Sequence, residues 1–258
     1  RPRIEAFAGA HEPSPWMGDR QTFQLMPASA PGGAPNLHRA ARALSFSHAH
    51  EVAHAHLYRV AFGDGIVTEI APTDHAAMFR FTFKQARSQL VFDNRNDHGS
   101  IVLDPSSRSF SGWSDVKSRL SAGAGRLFFY GVVDQAVTKS GRLHGAGRDH
   151  GAAWFGFDTS KDKVVHLRVA TSLISLAQAK HNLALEIAPD ESFEEVLERA
   201  QRAWDRQLGI VTVRGASRDE LTTLYSNLYR LFLYPNEAYE NTGSAKQPDY
   251  RYASPFST

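Results

Sequence analysis

Cysteine is absent from the 258 residues. That removes disulfides, thiolate nucleophiles and cysteine-based zinc or iron–sulfur sites, and it permits an oxidising compartment without requiring one. No apolar run approaches the roughly 20 residues of a membrane span. No secretory signal is recognisable, and the chain starts at Arg1 rather than Met, the start expected of a processed or trimmed product. An excess of one charge is also lacking: 29 Lys+Arg face 27 Asp+Glu, a net charge of +2. The clustered positive charge of a nucleic-acid binder is therefore missing. So are the common catalytic signatures. There is no G-x-S-x-G elbow, no H-E-x-x-H, no EF-hand loop and no phosphate loop, Gly123-Ala124-Gly125 being too short to count. What remains, 42% hydrophobic and 22% charged residues, is ordinary globular composition in a length suited to one large or two small domains.

Alternation marks the first two-thirds as strands. Phe79, Phe81 and Phe83 fall on one face of an extended segment and Arg80, Thr82 and Lys84 on the other. Arg126 to Asp134 is a fuller apolar run suited to a central strand, and Ala153–Phe157 and Val164–Val169 continue the series. Shorter candidates are Thr22–Met26, His56–Phe62, Gly65–Ile70, Gln89–Asp93, Ser100–Leu103 and Ser109–Trp113. Asp64-Gly65 is a hairpin turn signal, and Asn96–Gly99 and Asp104–Ser107 are further turns. Ala28 to Pro35 reads as a flexible surface loop and Gly141 to Arg148 as a mobile basic one. About ten short strands with regular turns predict a mainly β fold, a large antiparallel sandwich or barrel over residues 1–172.

Residues 173–258 read as a small helical region of about three helices with an extended tail. Ser175…Gln178, Ser192…Glu195 and Ser217…Glu220 each match the S/T-x-x-E/Q capping box. Phe193, Val196, Leu197, Ala200, Trp204 and Leu208 keep a 3.6-residue period, as do Leu221, Leu224, Tyr225, Leu228, Leu231 and Phe232 before the stop at Pro235. These stripes need cover, more than the strand region is expected to supply.

Three constellations have residue types that can carry chemistry. Residues 11–19, H-E-P-S-P-W-M-G-D, hold Trp16 on a loop stiffened by two prolines, a flat aromatic suited to stacking on a sugar ring, with His11, Glu12 and Asp19 placed to serve hydroxyls. The plain alternative is a Trp plugging the sandwich end with Asp19 as a turn cap. His48, His50, His54 and His56 surround Glu51, but their spacing fits no metal motif, and structural or surface histidines are the simpler reading. Among Glu5, Glu12, Asp19, Glu51, Asp64, Glu69 and Asp74, spacing singles out no acid–base pair, and Glu194, Glu195 and Glu198 read as a solvated helix face.

The stretch His11 to Pro27 resembles a hallmark of glycoside hydrolase family 92, the exo-acting α-mannosidases. The likeness continues in order through Phe46-Ser47-His48, Arg80–Phe83, Ser111-Gly112-Trp113-Ser114, Phe129–Val132, Ser172–Ser175, Ala203-Trp204, Tyr225–Arg230 and Tyr234–Gly243. The resemblance implies an N-terminal β-sandwich at 1–172, and a helical linker and tail at 173–258 leading to an (α/α)6 catalytic barrel absent from this chain. It further implies calcium-dependent, inverting hydrolysis of terminal mannose from glycans, of α-1,2 type, in a secreted or periplasmic setting, without nucleic-acid or membrane partners. The general acid, the base carboxylates and the Ca2+ ligands would all lie in the barrel, so this chain is expected to be inactive alone and to carry no catalytic or metal-binding residue. Its contribution would be one wall of the active site: Trp16 against the substrate, with His11, Glu12 and Asp19 as hydroxyl contacts or loop supports. Family members often carry Arg and Thr where this chain has Ala8 and Ala10, and Tyr where it has Arg20, a cation suited to an anionic neighbour such as a mannosyl phosphodiester. The alternative is a stand-alone mannose- or glycan-binding β-sandwich module.

Overall fold

A computed structural model of the chain describes residues 2–8, 23–29, 33–94, 99–115, 126–143, 151–233 and 239–252. In chain order its strands are β1 (Arg3–Ile4), β2 (Phe7–Ala8), β3 (Phe23–Ser29), β4 (Leu44–His54), β5 (Leu57–Phe62), β6 (Val67–Pro72), β7 (Ala76–Thr82), β8 (Arg87–Asn94), β9 (Gly99–Asp104), β10 (Ser109–Asp115), β11 (Arg126–Val133), β12 (Lys139–Arg142), β13 (Ala152–Asp158), β14 (Val164–Ser172), β15 (Tyr239–Asn241) and β16 (Tyr250–Tyr252). The helices are α1 (Arg39–Arg42), α2 (Leu176–Glu186), α3 (Phe193–Leu208) and α4 (Arg218–Phe232).

Two antiparallel sheets form a sandwich. One has nine strands in the order β1-β4-β5-β6-β7-β14-β11-β10-β9, the other five in the order β12-β13-β8-β3-β2. Phenylalanines join them. Phe23 stacks on Phe129 and Phe92 on Phe110, each at 3.9 Å between ring centroids, and Phe155 meets Phe92 edge-on at 5.4 Å. The alternating Phe79, Phe81 and Phe83 are all buried in this core. Burying one such ring contributes about 1.5–3 kcal/mol, so aromatic packing rather than hydrogen bonding between faces holds the layers together. Where the rings crowd the sheet, glycine is required: a Cβ at Gly112 would run into Ser100 O and the Phe129 ring.

The Asp64-Gly65 turn forms as expected, with Gly65 at φ +90° and Asp64 accepting from Ile66 N. Several readings need correction. Ala28 and Ser29 belong to β3, and Gly141 and Arg142 to β12, because ladder pairing to Gln89 and Ser88 and to Trp154 and Ala153 outweighs their loop-like composition. His48, His50 and His54 lie on strand β4, which has a register shift against β5 between Phe46 and Glu51, and His56 lies in the turn between them. Asn96–His98 lie outside the described residues.

All three predicted serines cap helices. Ser192 and Ser217 form complete capping boxes with Glu195 and Glu220. Ser175 forms half of one: Gln178 spends its side chain on Asn182 Oδ1 (2.7 Å) and Asn241 O (2.8 Å) instead of reaching back to the cap. Helices α2 and α3 cover the outer face of the nine-stranded sheet, where Leu183, Ile187, Phe193 and Val196 pack on Ala71, Ala76, Met78 and Ala170. Arg80 fixes the start of α3, bonding Glu69 at 2.7 Å, pairing with Glu194 and lying 4.2 Å from the Phe193 ring centroid. Helix α4 buries no residue and touches α3 through Trp204 and Tyr229. In the tail, β15 and β16 pair as a hairpin, which the sequence reading placed only as extended chain.

Candidate functional site

Strand register gathers the ends of both sheets at one end of the sandwich. Ala8 pairs with Gln24 and Phe23 with Asn94, so β2, β3 and β8 finish together; Asp93 pairs with Ala152, which brings β13 beside them. In the other sheet Ser114 pairs with Gly99, Asp115 with Arg126 and Phe128 with Ser172. Residues 9–22 join β2 to β3 at this end. His11, Glu12, Trp16 and Asp19, like Arg20, lie outside the described residues; the structure places the strand ends that flank them and not the side chains themselves.

The described residues show how that end is braced. Asp93, 1% exposed, directly follows the apolar run Leu90-Val91-Phe92 of β8. Arg39 Nε lies 2.9 Å from Asp93 Oδ2, and the buried Arg42 pairs with the same oxygen. Arg39 also donates to Asn94 O, and Arg42 to Asn36 O and Leu37 O. One buried carboxylate thus ties α1, the chain before it and the end of β8 together. Sequence reading missed this trio. The available signal was an aspartate closing the run Leu90-Val91-Phe92, since carboxylates are almost never fully buried unless paired. At the end of the other sheet, Arg126 stacks 3.7 Å from the ring centroid of Trp113 and bonds Asp115 at 3.0 Å.

The tail hairpin is anchored at the same end by buried polar groups. Glu240 Oε1 accepts from Leu173 N (2.7 Å) and its Oε2 from Asn182 Nδ2 (2.8 Å). His75 has Glu186 Oε1 at 2.8 Å from Nδ1 and Tyr239 O at 3.1 Å from Nε2. Both neighbours can only accept, so the ring fits as an imidazolium. Burial alone would lower its pKa, but Glu186, Glu240 and the Tyr239 carbonyl outweigh that and lift it to about 9. Burial would raise Glu186, yet hydrogen bonds from His75 and Thr73 hold it below the usual range.

The histidines of β4 form no metal centre. No group of three or more His, Asp or Glu side chains that could hold a metal occurs among the described residues. Glu51 instead accepts from Tyr58 OH and pairs with His48, both at 2.6 Å, and those bonds, Tyr58 first, lower its pKa. His54 and His56 stack at 5.6 Å, and burial pulls His56 down. Of the other carboxylates considered as acid–base candidates, Asp64 is engaged by Ser29 and Ile66, and Glu69 by Arg59 and Arg80.

Comparison with known proteins follows the same division of the chain. The sequence model described as the glycosyl hydrolase family 92 N-terminal domain matches residues 1–172, and that of the family 92 catalytic domain matches residues 178–257. The inverting family 92 mannosidase BT2199 of Bacteroides thetaiotaomicron superposes with a TM-score of 0.83 at 29% identity, over 95% of this chain and 34% of that one. The family 92 glycosyl hydrolase ccman5 gives 0.72 at 20% identity, over 90% and 36%. The family 92 α-mannosidase BT3965 of B. thetaiotaomicron, in complex with mannoimidazole, gives 0.71 at 18% identity, over 92% and 34%. The last two similarities speak for the fold alone. The chain spans about a third of the length of these structures. No curated protein matches it.

Proposed function

The chain belongs to glycosyl hydrolase family 92, and from that premise we propose that it is the N-terminal part of a calcium-dependent, inverting exo-α-mannosidase of α-1,2 type that removes terminal mannose from glycans outside the cytoplasm. The observation that carries this reading is the ordered match of both family domains, at 1–172 and 178–257. In it residues 1–172 form a sandwich domain, residues 173–258 lead into an (α/α)6 barrel on the remainder of the protein, and residues 11–19 supply one wall of the active site, with Trp16 stacking on the sugar.

Inversion needs a general acid and a base about 6.5–9.5 Å apart with a water between them. This chain is given neither role. In this reading the calcium ion would be held by the barrel. Helix α4 supports the division. It carries an apolar stripe, yet buries no residue, and Leu231 is 69% exposed. A stripe of this kind is built to be covered, and α4 falls within the span that matches the catalytic-domain model.

The test is hydrolysis of an aryl α-mannoside. The full-length protein should cleave it with inversion and lose activity to a calcium chelator, whereas residues 1–258 alone should not cleave it. A full-length protein without mannosidase activity, or activity in the isolated chain, defeats the reading.

A further inference from the structure

The outer face of the five-stranded sheet, on the far side of the sandwich from α2 and α3, holds a cavity of about 240 Å³. It lies where β8, β12 and β13 run side by side. Gly156 pairs with Lys139 on one side and Gln89 on the other, so a residue without a side chain separates two long ones and leaves a trough. Trp154 walls it: a Cβ at Gly156 would come within 3.1 Å of Trp154 Cζ3. Gln89 donates to Gly33 O at 2.6 Å and pins the chain at 33–34 as the opposite wall.

The lining has an unspent polar capacity. Arg87 and Lys139 are exposed at the rim, and neither forms a salt bridge with any described residue. The nearest carboxylate in register, Asp158 opposite Arg87, already accepts from Ser160 N at 3.0 Å. Two free cations beside an indole edge suit an anionic group carried on a ring. The volume is below the roughly 300–1,000 Å³ of sites for drug-sized ligands, which limits the occupant to about one sugar ring.

The geometry points to a binding site for a single anionic sugar unit, a hexose phosphate or its sulfated or carboxylated equivalent, with Arg87 and Lys139 on the anion and Trp154 along the ring. The choice of a hexose rests on the mannosidase reading; the cavity and its charge do not.

Calorimetric titration of the full-length protein with mannose 6-phosphate, mannose and inorganic phosphate tests it. Mannose 6-phosphate should bind at least tenfold tighter than either fragment. Arg87→Glu and Lys139→Glu, both at exposed positions, should each weaken it at least tenfold while leaving the melting temperature and hydrolysis of unphosphorylated mannosides unchanged. Equal affinity for all three probes, or unaltered binding in both variants, overturns the inference. Failure of mannoside hydrolysis in the wild-type protein defeats the earlier reading alone and leaves the titration to decide this one.

Discussion

Asp93 neutralises two arginines at a largely dehydrated position. The side chain of Arg42 is only 3% exposed. Removing one partner of a buried ion pair leaves the other charge uncompensated, at about 3–5 kcal/mol. Asp93→Ala should therefore lower unfolding stability by about that amount in urea titrations; a loss below about 1 kcal/mol, the range of a surface pair, would show that water reaches Arg42. His75 makes a prediction with a sign. Its folded pKa, about 9, lies above the ordinary 6.5. Folding thus favours the imidazolium, and the stabilisation is complete below pH 6.5 and lost as pH rises through 9. Thermal melts across that window should show falling stability in the wild type and a flatter profile in His75→Gln. Parallel profiles would remove His75 as the anchor of the tail hairpin.

At the scale of elements, the informative contrast is between α3 and α4. Both begin with complete capping boxes, and both have an apolar stripe. Only α3 uses its stripe against the sheet, through Phe193 and Val196. Leu231→Asp should therefore leave the melting temperature of residues 1–258 within the small range of surface substitutions, about 0.5 kcal/mol. In the full-length protein, where the proposed barrel covers the helix, the same change should cost about 2–5 kcal/mol, the range for losing a buried leucine. Equal effects in both would mean that α4 stays uncovered. The half-formed box at Ser175 shows why caps are legible and their details are not. The serine hydroxyl needs only a backbone amide three residues on, which local sequence supplies. The glutamine chooses between the cap and other partners, and the buried Asn182 side chain and the Asn241 carbonyl win.

For the whole molecule, the proposed wall role of residues 11–19 gives the decisive kinetic prediction. In the full-length enzyme Trp16→Ala should lower kcat/KM on α-mannosides by at least about tenfold, equivalent to some 1.4 kcal/mol of transition-state binding, with the melting temperature maintained. A drop in melting temperature with unchanged kinetics would instead make Trp16 a plug for the sandwich end.

Fold class, helix starts and most strand positions were legible because each rests on short-range periodicity: Phe79, Phe81 and Phe83 alternate, Ser192 and Glu195 stand three apart, and Gly65 follows Asp64. Order along the chain also carried the family. Tertiary structure alone decided the rest. It put His48, His50 and His54 on a strand, paired the tail into a hairpin, buried Asp93 between Arg39 and Arg42, and opened a trough over Gly156 between Lys139 and Gln89. The Asp93 cluster and the trough join residues far apart in sequence, and the hairpins need strands that local composition marked as loop or tail. Their partnership is set by which strands become neighbours and which face is dehydrated, and no local period encodes that.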